Sequence, residues 1–491
     1  MAGVLDGCST REAIAHWARE TPDKPAIIDY GHVISFRAFS NAIDRWVDTL
    51  SASQRPIRKA AVIIPRLCNS WIMSFALRDV GADVIALNSL SQIAALGLAD
   101  LDCVVASKEV DAATPLTLVA PGPLRLIVPD HPGASPSGAP PAEPRRKGQP
   151  GGQILYTSGT TGRYKLLLFD HAGEGDRNRL RAGHYRITQQ TLHHGVIFRM
   201  WTGSGYKHAS ATWWCGGTVV FDGRVERFFE QEVTTACLTG GELRSLLVAR
   251  RSEAPKVLPR PWRLVFGGGF LPLELALGAR DELNAVVDVA LGATETAGAL
   301  LHSIFHEPED LNWYSTYPDR TVEILDDQGQ PCPVGQQGEL AVVLKPFDAQ
   351  GYLDDEAATG RFFRDGRFFT GDLAVQRADG RIRVLGRVDH VLNFQGQKRP
   401  VAPIETEIQI LTGARDVCAF AGFDLTGHEI AVIALEVDRP PPTAILDRAA
   451  ALFPGFSQTR FHMEPHLPRG TNGMGKVDRR ALRSRLFPHE A

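Results

Sequence analysis

Between Ile154 and Lys165 the chain reads ILYTSGTTGRYK, an apolar run that gives way to hydroxyls and glycines and closes on a lysine. Thr157, Ser158, Gly159, Thr160, Thr161, Gly162 and Lys165 could grip a phosphate, since small residues leave backbone N–H groups open, hydroxyls donate and the lysine adds charge. On its own such a loop is more often an ordinary Gly/Thr turn. The G-x-x-x-x-G-K-[ST] loop of nucleotide triphosphatases is excluded, because Gly159 and Gly162 stand too close and Leu166 follows the lysine. Three further segments carry groups suited to phosphate chemistry: Leu291–Glu295 (LGATE), Thr370–Asp372 (TGD) and Pro468–Lys476 (PRGTNGMGK). Taken singly, each reads as a solvated loop or turn residue.

The elements that must position these groups are legible in the periodicity. Ser9-Thr-Arg-Glu12 has the pattern of a capping box and opens a helix with Ile14, Trp17 and Ala18 on one face. A short strand is expected at Ala26–Asp29, then a helix around Phe39–Leu50 with Ile43, Trp46 and Val47 on one side. The apolar runs Ala60–Pro65, Val84–Leu87 and Cys103–Ala106 are of the kind buried on both faces of a parallel sheet, and the helical intervals between them predict α/β layering. Pro129–Gln153, rich in Pro and Gly, is expected to be an exposed, irregular connection. From Gly386 onward, short strands and two helical patterns predict a second, smaller α+β unit.

At 491 residues the chain is too long for a single small module. With 44% hydrophobic and 22% charged residues, and no apolar run of the length that spans a bilayer, it is expected to be soluble, with no membrane partner. The N-terminus lacks the pattern of a secretory signal, which predicts a cytoplasmic protein. A net charge of −3 with scattered Lys and Arg argues against nucleic acid as a partner. The seven cysteines are far apart, without a C-x-x-C pair, and read as free thiols.

The order of residues at 154–165 resembles the Y-T-S-G-T-T-G-x-P-K-G loop of the adenylate-forming enzymes, which include acyl- and aryl-CoA synthetases, peptide-synthetase adenylation domains and luciferases. The resemblance extends along almost the whole chain: Glu20–Ile27 is similar to the family's opening, Gly267–Leu271 (GGGFL) to S-G-G-A-P-L, and Leu291–Glu295 to Y-G-x-T-E. Gly338–Leu340, Gly351–Leu353, Thr370–Asp372, Gly386–Asp389 and Pro468–Lys476 resemble its G-E-L, G-Y, T-G-D, G-R-x-D and P-x-T-x-x-G-K segments. What the resemblance implies is an α/β fold, with a large N-terminal domain of layered sheets and helices (1–386) and a small mobile α+β domain (387–491). It also implies an acid–thiol ligase: a carboxylic acid is activated with ATP and Mg²⁺ as acyl-AMP, then passed to coenzyme A or to a carrier-protein phosphopantetheine thiol.

Carried over residue by residue, Thr157–Gly162 and Lys165 would hold the β- and γ-phosphates, with Gly267 and Gly268 beside the adenine. Glu295 would coordinate Mg²⁺ and Thr294 would touch the α-phosphate. Asp372 would accept the ribose hydroxyls, with Arg387 near ribose or phosphate, and Lys476 would stabilise the charge that spreads over the α-phosphate. Asp389 would be the hinge and Gly396 would line the thiol tunnel. Trp201, Thr202, Ser204, Gly269, Leu291, Gly292 and Ala293 would line a mainly apolar pocket for an aryl or hydrophobic acyl acid. His171 is as readily a packed core histidine and receives no catalytic role.

Departures from the pattern are Tyr164 in place of Pro, Leu166 in place of Gly, Leu291 in place of Tyr, and two additional residues between Gly396 and Pro403, including Lys398 and Arg399. The segment Met200–Tyr206 lacks the Asp that pairs with an amino-acid ammonium, which disfavours an α-amino acid substrate. These departures also keep open a protein that binds adenylates without turning over, in a regulatory or binding role.

Overall fold

The computed structural model describes residues 5–52, 56–114, 124–134, 136, 149–158, 164–195, 199–224, 227–252, 260–267, 269–388, 391–394, 397–424, 429–453, 456, 458–469 and 477–487. Two large sheets dominate. The first runs Leu124–Val128, Cys103–Ser107, Lys59–Ile63, Asp83–Ala86, Gln153–Ser158, Tyr164–Phe169, all parallel neighbours except the final hairpin pair. The expected apolar runs form its centre, and Ala60, Val62, Val84, Val104 and Val105 are wholly buried, as helices on both faces require.

The second sheet has nine strands, in the order Ser315–Thr316, Ala299–Ile304, Ala285–Gly292, Trp262–Phe266, Thr235–Leu238, Leu192–His194, Thr218–Phe221, Pro25–Asp29, His32–Ser35. The early strand Pro25–Asp29 pairs in parallel with Thr218–Phe221, Ile27 opposite Val219, so the N-terminus closes a sheet built from the middle of the chain. Ser9 caps the first helix, Thr10–Glu20, in a complete capping box with Glu12. The helix Leu67–Asp79 is buried along its whole length. From it Trp71 stacks on Tyr206 (5.5 Å) and meets Trp213 edge-on (4.9 Å, 81°), while Phe39 and Phe75 complete an aromatic knot with the helix Gly203–Trp214.

A third, antiparallel sheet joins Val322–Leu325, Gln337–Val343, Arg367–Gln376 and Ile382–Arg387. Beyond it, Asp416–Phe423, Glu429–Glu436 and Thr459–Glu464 form a three-stranded sheet flanked by the helices Val401–Thr412, Thr443–Ala450 and Arg479–Leu486. The core of this α+β unit consists of residues after 400, with Ile408, Ala419 and Ile433 on one face of the sheet and Phe420, Val432 and Leu482 on the other. Among the described residues of this unit three helices stand where two were expected. The last one, RRALRSRL, buries only Leu482 and so has almost no apolar stripe to read.

Of the expected irregular stretch Pro129–Gln153, residues 135 and 137–148 lie outside the described residues; its ends are anchored, with Ala134 accepting from Trp46 Nε1 (2.9 Å) and Gly151 and Gly152 buried. All seven cysteines are free. Among the described residues no helix is long and apolar enough to cross a membrane.

Candidate active site

The loop of hydroxyls and glycines connects a β-hairpin. Thr157 stands opposite Lys165 and Ser158 opposite Tyr164, which fixes where the connection leaves and returns. Gly159, Thr160, Thr161 and Gly162 lie outside the described residues, and Ser158 is described only as strand backbone. Tyr164, which stands where the family pattern has proline, is a strand residue whose ring meets Tyr156 at right angles (5.6 Å), and Tyr156 in turn bonds Gln92. Leu166, which stands where the family pattern has glycine, is buried, and its carbonyl accepts from Leu353 N (2.8 Å). The Tyr164 ring thus packs within the hairpin, and the main chain at Leu166 ties the hairpin to the segment that follows Gly351.

That bond draws the segment Gly351–Leu353 against the hairpin and seats Tyr352 between an anticipated phosphate ligand, Lys165, and the anticipated metal ligand, Glu295. Lys165 Nζ lies over the Tyr352 ring (4.9 Å) and, more closely, over the Phe362 ring (3.6 Å). Tyr352 Oη donates to Glu295 Oε1 (2.7 Å). Burial holds the Lys165 ammonium below its ordinary value and Arg361 and Arg387 push the same way, opposed by Glu295. The Tyr352 hydroxyl is raised, by burial first and then by the Glu295 carboxylate it faces. Tyr352 lay in the G-Y resemblance without a role, and Phe362 was not singled out from the sequence.

Glu295 and Thr294 lie just past the strand Ala285–Gly292, which ends in a bulge between Leu291 and Gly292. Glu295 is only 7% exposed, and its main-chain carbonyl accepts from Ala349 N (3.0 Å). Gly203, at the start of the helix Gly203–Trp214, backs directly onto Thr294, and a Cβ there would stand 2.9 Å from Thr294 Oγ1. One turn further along, Lys207 extends its ammonium beneath the loop to the carbonyls of Ala293 (2.7 Å) and Thr296 (2.5 Å). Burial and the nearby Arg181 pull Lys207 down to about 7, against Glu295 and Asp348.

Asp372 and Arg387 are register partners across two strands of the third sheet. Arg387 Nη1 donates to the Thr370 carbonyl (2.7 Å) and lies 3.4 Å from Asp372 Oδ1. The guanidinium can pack there because Gly371 has φ +74° and no side chain, and a Cβ would come within 2.5 Å of Arg387 Nη2. Gly371 N also donates to Glu339 (3.2 Å), whose carboxyl is raised chiefly by burial, with Arg364 and Arg387 opposing. Glu339, Arg361, Arg364 and Arg387 rim a small pocket of about 160 Å³ beside Phe362.

The residues anticipated to line the acid pocket stand among polar as well as apolar neighbours. Trp201 is buried, with Arg199 facing its ring (5.4 Å), and Thr202 caps the helix Gly203–Trp214 by accepting from Gly205 N (3.1 Å). The Ser204 carbonyl receives His208 Nδ1 (2.9 Å), and His208 stacks between Tyr185 (3.9 Å) and His193 (5.4 Å). Burial holds both histidines below their ordinary value. Gly267 follows the strand Trp262–Phe266, Gly269 faces open space, and Leu291 and Ala293 flank the bulge at Gly292. The polar residues Lys207 and His208 stayed hidden because one cation and one histidine in a helix of small and aromatic residues leave no periodic signature.

Gly268, Asp389, Gly396 and Lys476 lie outside the described residues. The segment that carries Lys476 leaves and returns between Arg469 and Val477, which form a bridge, with Asp478 N bonded to the Pro468 carbonyl (2.7 Å). His171 lies 3.9 Å from Glu174, a buried carboxylate already paired with Arg78. For a divalent cation, Glu295 offers a buried carboxylate with one oxygen on Tyr352 and the other without a hydrogen-bond partner among the described residues. No group of three potential ligands exists among those residues, so an ion held there would need oxygens from substrate phosphates and water.

Residues 14–353 match the profile of the family described as AMP-binding enzyme. Triostin synthetase I of Streptomyces triostinicus is 25% identical over 98% of this chain and 95% of its own length. Feruloyl-CoA synthase of an Amycolatopsis species is 27% identical over 82% of this chain and 84% of its own. The structure of o-succinylbenzoate CoA synthetase from Bacillus subtilis, in complex with its acyl-adenylate intermediate, superposes with a TM-score of 0.79 at 21% identity, covering 95% of this chain and 96% of that one.

Proposed function

Since the chain belongs to the AMP-binding enzyme family, we propose that it is an ATP-dependent, AMP-forming ligase that activates an aryl or hydrophobic acyl acid and transfers it to a thiol. The observation that carries this reading is Tyr352, which touches Lys165 with its ring and Glu295 with its hydroxyl and so gathers two anticipated phosphate and metal ligands into one place. In the first half-reaction a carboxylate oxygen attacks the α-phosphorus of ATP, the bond to the β-phosphate oxygen breaks, and acyl-AMP and pyrophosphate form. Thr157 and Lys165 bind the outer phosphates, Thr294 the α-phosphate, and Asp372 and Arg387 the ribose side. Mg²⁺, held by Glu295 and phosphate oxygens, would supply charge neutralisation to the departing pyrophosphate. In the second, the sulfur of coenzyme A or of a carrier-protein phosphopantetheine attacks the acyl carbon, AMP leaves, and the thiol proton passes to solvent.

An aryl acid is favoured by the likeness to feruloyl-CoA synthase. The test is pyrophosphate release across a panel of aromatic and fatty acids, followed by mass spectrometry of products with coenzyme A or an amine as acceptor. Acid-dependent pyrophosphate and a thioester are expected; a silent panel with folded protein, or an amide alone, overturns the reading.

A second reading, an adenylate binder without turnover, draws on the Lys165 ammonium lying 3.6 Å from the centre of the Phe362 ring, engaged by an aromatic face. Calorimetric binding of ATP or AMP with no acid-dependent pyrophosphate would favour it.

A further inference from the structure

The stretch Ala293–Gly298 belongs to no helix or strand, so its shape must be imposed by the elements around it. Three buried charged side chains reach its backbone. Arg181 Nε donates to the Ala297 carbonyl (2.6 Å), and Asp348 Oδ1, itself held by Arg320, accepts from Ala297 N (2.7 Å). Both of these act on the far end of the loop. Lys207 acts on the near end, and its two acceptors are the carbonyl immediately before Thr294 and the carbonyl immediately after Glu295.

Lys207 is 4% exposed, and no carboxylate among the described residues pairs with it. An ammonium taken out of water without a counter-ion is costly, and a neutral side chain would pack in its place without that cost. The two carbonyls would then lose two hydrogen bonds between them, leaving Thr296 Oγ1 (3.2 Å) as a donor to Ala293. A single donor bridging both also fixes the separation of the two ends of the Thr294–Glu295 span. Gly203 backs onto Thr294 from the same helix, so the helix controls both the position of the threonine and the pitch of the span.

We propose that Lys207 is a positioning residue for nucleotide and metal binding: by bridging the Ala293 and Thr296 carbonyls it aims the Thr294 hydroxyl and the Glu295 carboxylate at a common point. The proposal rests on the reading that these two residues meet the α-phosphate and the metal.

The probe is Mn²⁺, titrated into the full-length protein in the presence of ATP and followed by electron paramagnetic resonance, with thermal melting recorded alongside. Lys207→Met keeps most of the length of the side chain, one atom shorter, and removes its donors. It is expected to weaken retained Mn²⁺ about tenfold, the scale on which outer partners of a metal ligand act. Lys207→Gln, whose amide can still serve one carbonyl, is expected to fall between it and the parent, and it carries the test if the methionine variant does not fold. A variant that melts at lower temperature but holds Mn²⁺ with ATP as tightly as the parent overturns the proposal and leaves Lys207 a packing residue. Glu295→Ala is measured beside them. If it too leaves Mn²⁺ retention unchanged, the reading of the site itself has failed, a result distinguishable from failure of the bridge.

Discussion

Glu174 is 1% exposed and would be an expensive place for a charge were it not surrounded. Arg78 donates to it, as does Thr10 Oγ1 (2.6 Å), and Arg78 Nε also holds the Gly151 carbonyl (3.0 Å), so one pair ties the N-terminal helix, the helix Leu67–Asp79 and the approach to the phosphate hairpin. Burial alone would raise the Glu174 carboxyl, but the Arg78 charge and the hydrogen bonds bring it down to about 2. A carboxyl with a depressed folded-state value contributes stability above its unfolded value and loses it as pH falls. The contribution should therefore be complete above about 4.5 and disappear toward 2, checked by denaturant midpoints across that window. Arg78→Met should cost about 3–5 kcal/mol by stranding the carboxylate and should flatten that part of the profile. At the neighbouring site, Tyr352→Phe removes the donor to Glu295 while keeping the ring over Lys165. It should lower acid-dependent pyrophosphate release about tenfold and leave the melting temperature nearly unchanged.

Pairing Asp372 with Arg387 is the work of two strands in register, and it depends on the backbone at Gly371 more than on either side chain. Gly371→Ala would force an L-residue to φ +74° and drive a methyl group into the guanidinium. The expected cost is about 1–3 kcal/mol, with ATP affinity falling as Arg387 is displaced; calorimetric titration of ATP into the folded variant checks it. Elements whose signal is local could be read directly from the residues. Ser9 and Glu12 announce their helix because a capping box needs only four consecutive positions, and Ala60–Ile63 and Cys103–Ala106 announce strands because burial on both faces demands unbroken apolar runs. What stayed hidden was long-range. Nothing near Pro25–Asp29 says that it pairs with Thr218–Phe221, and nothing near Lys207 says that its carbonyl partners lie 86 and 89 residues away. The TGD and LGATE segments were found through their resemblance to a family, since a lone Asp or Glu in a loop carries no physical signature of its own.

At the scale of the whole molecule, the unit after residue 400 has its own core, and the segment bearing Lys476 is pinned at both ends, by Arg469 and by Val477. If that unit delivers Lys476 for the first half-reaction and another face for the second, Lys476→Ala should abolish acid-dependent pyrophosphate release yet largely spare thioester formation from supplied acyl-AMP. Equal loss of both would contradict the two-pose reading. The aromatic knot has a use of its own. Trp71 and Trp213 hold their indoles 4.9 Å apart at 81°, close enough for their ultraviolet transitions to couple into a paired circular-dichroism band. Because Trp213 lies on the same helix as Lys207, that band is a built-in gauge of whether the helix keeps its seat, readable in any variant without attaching a dye.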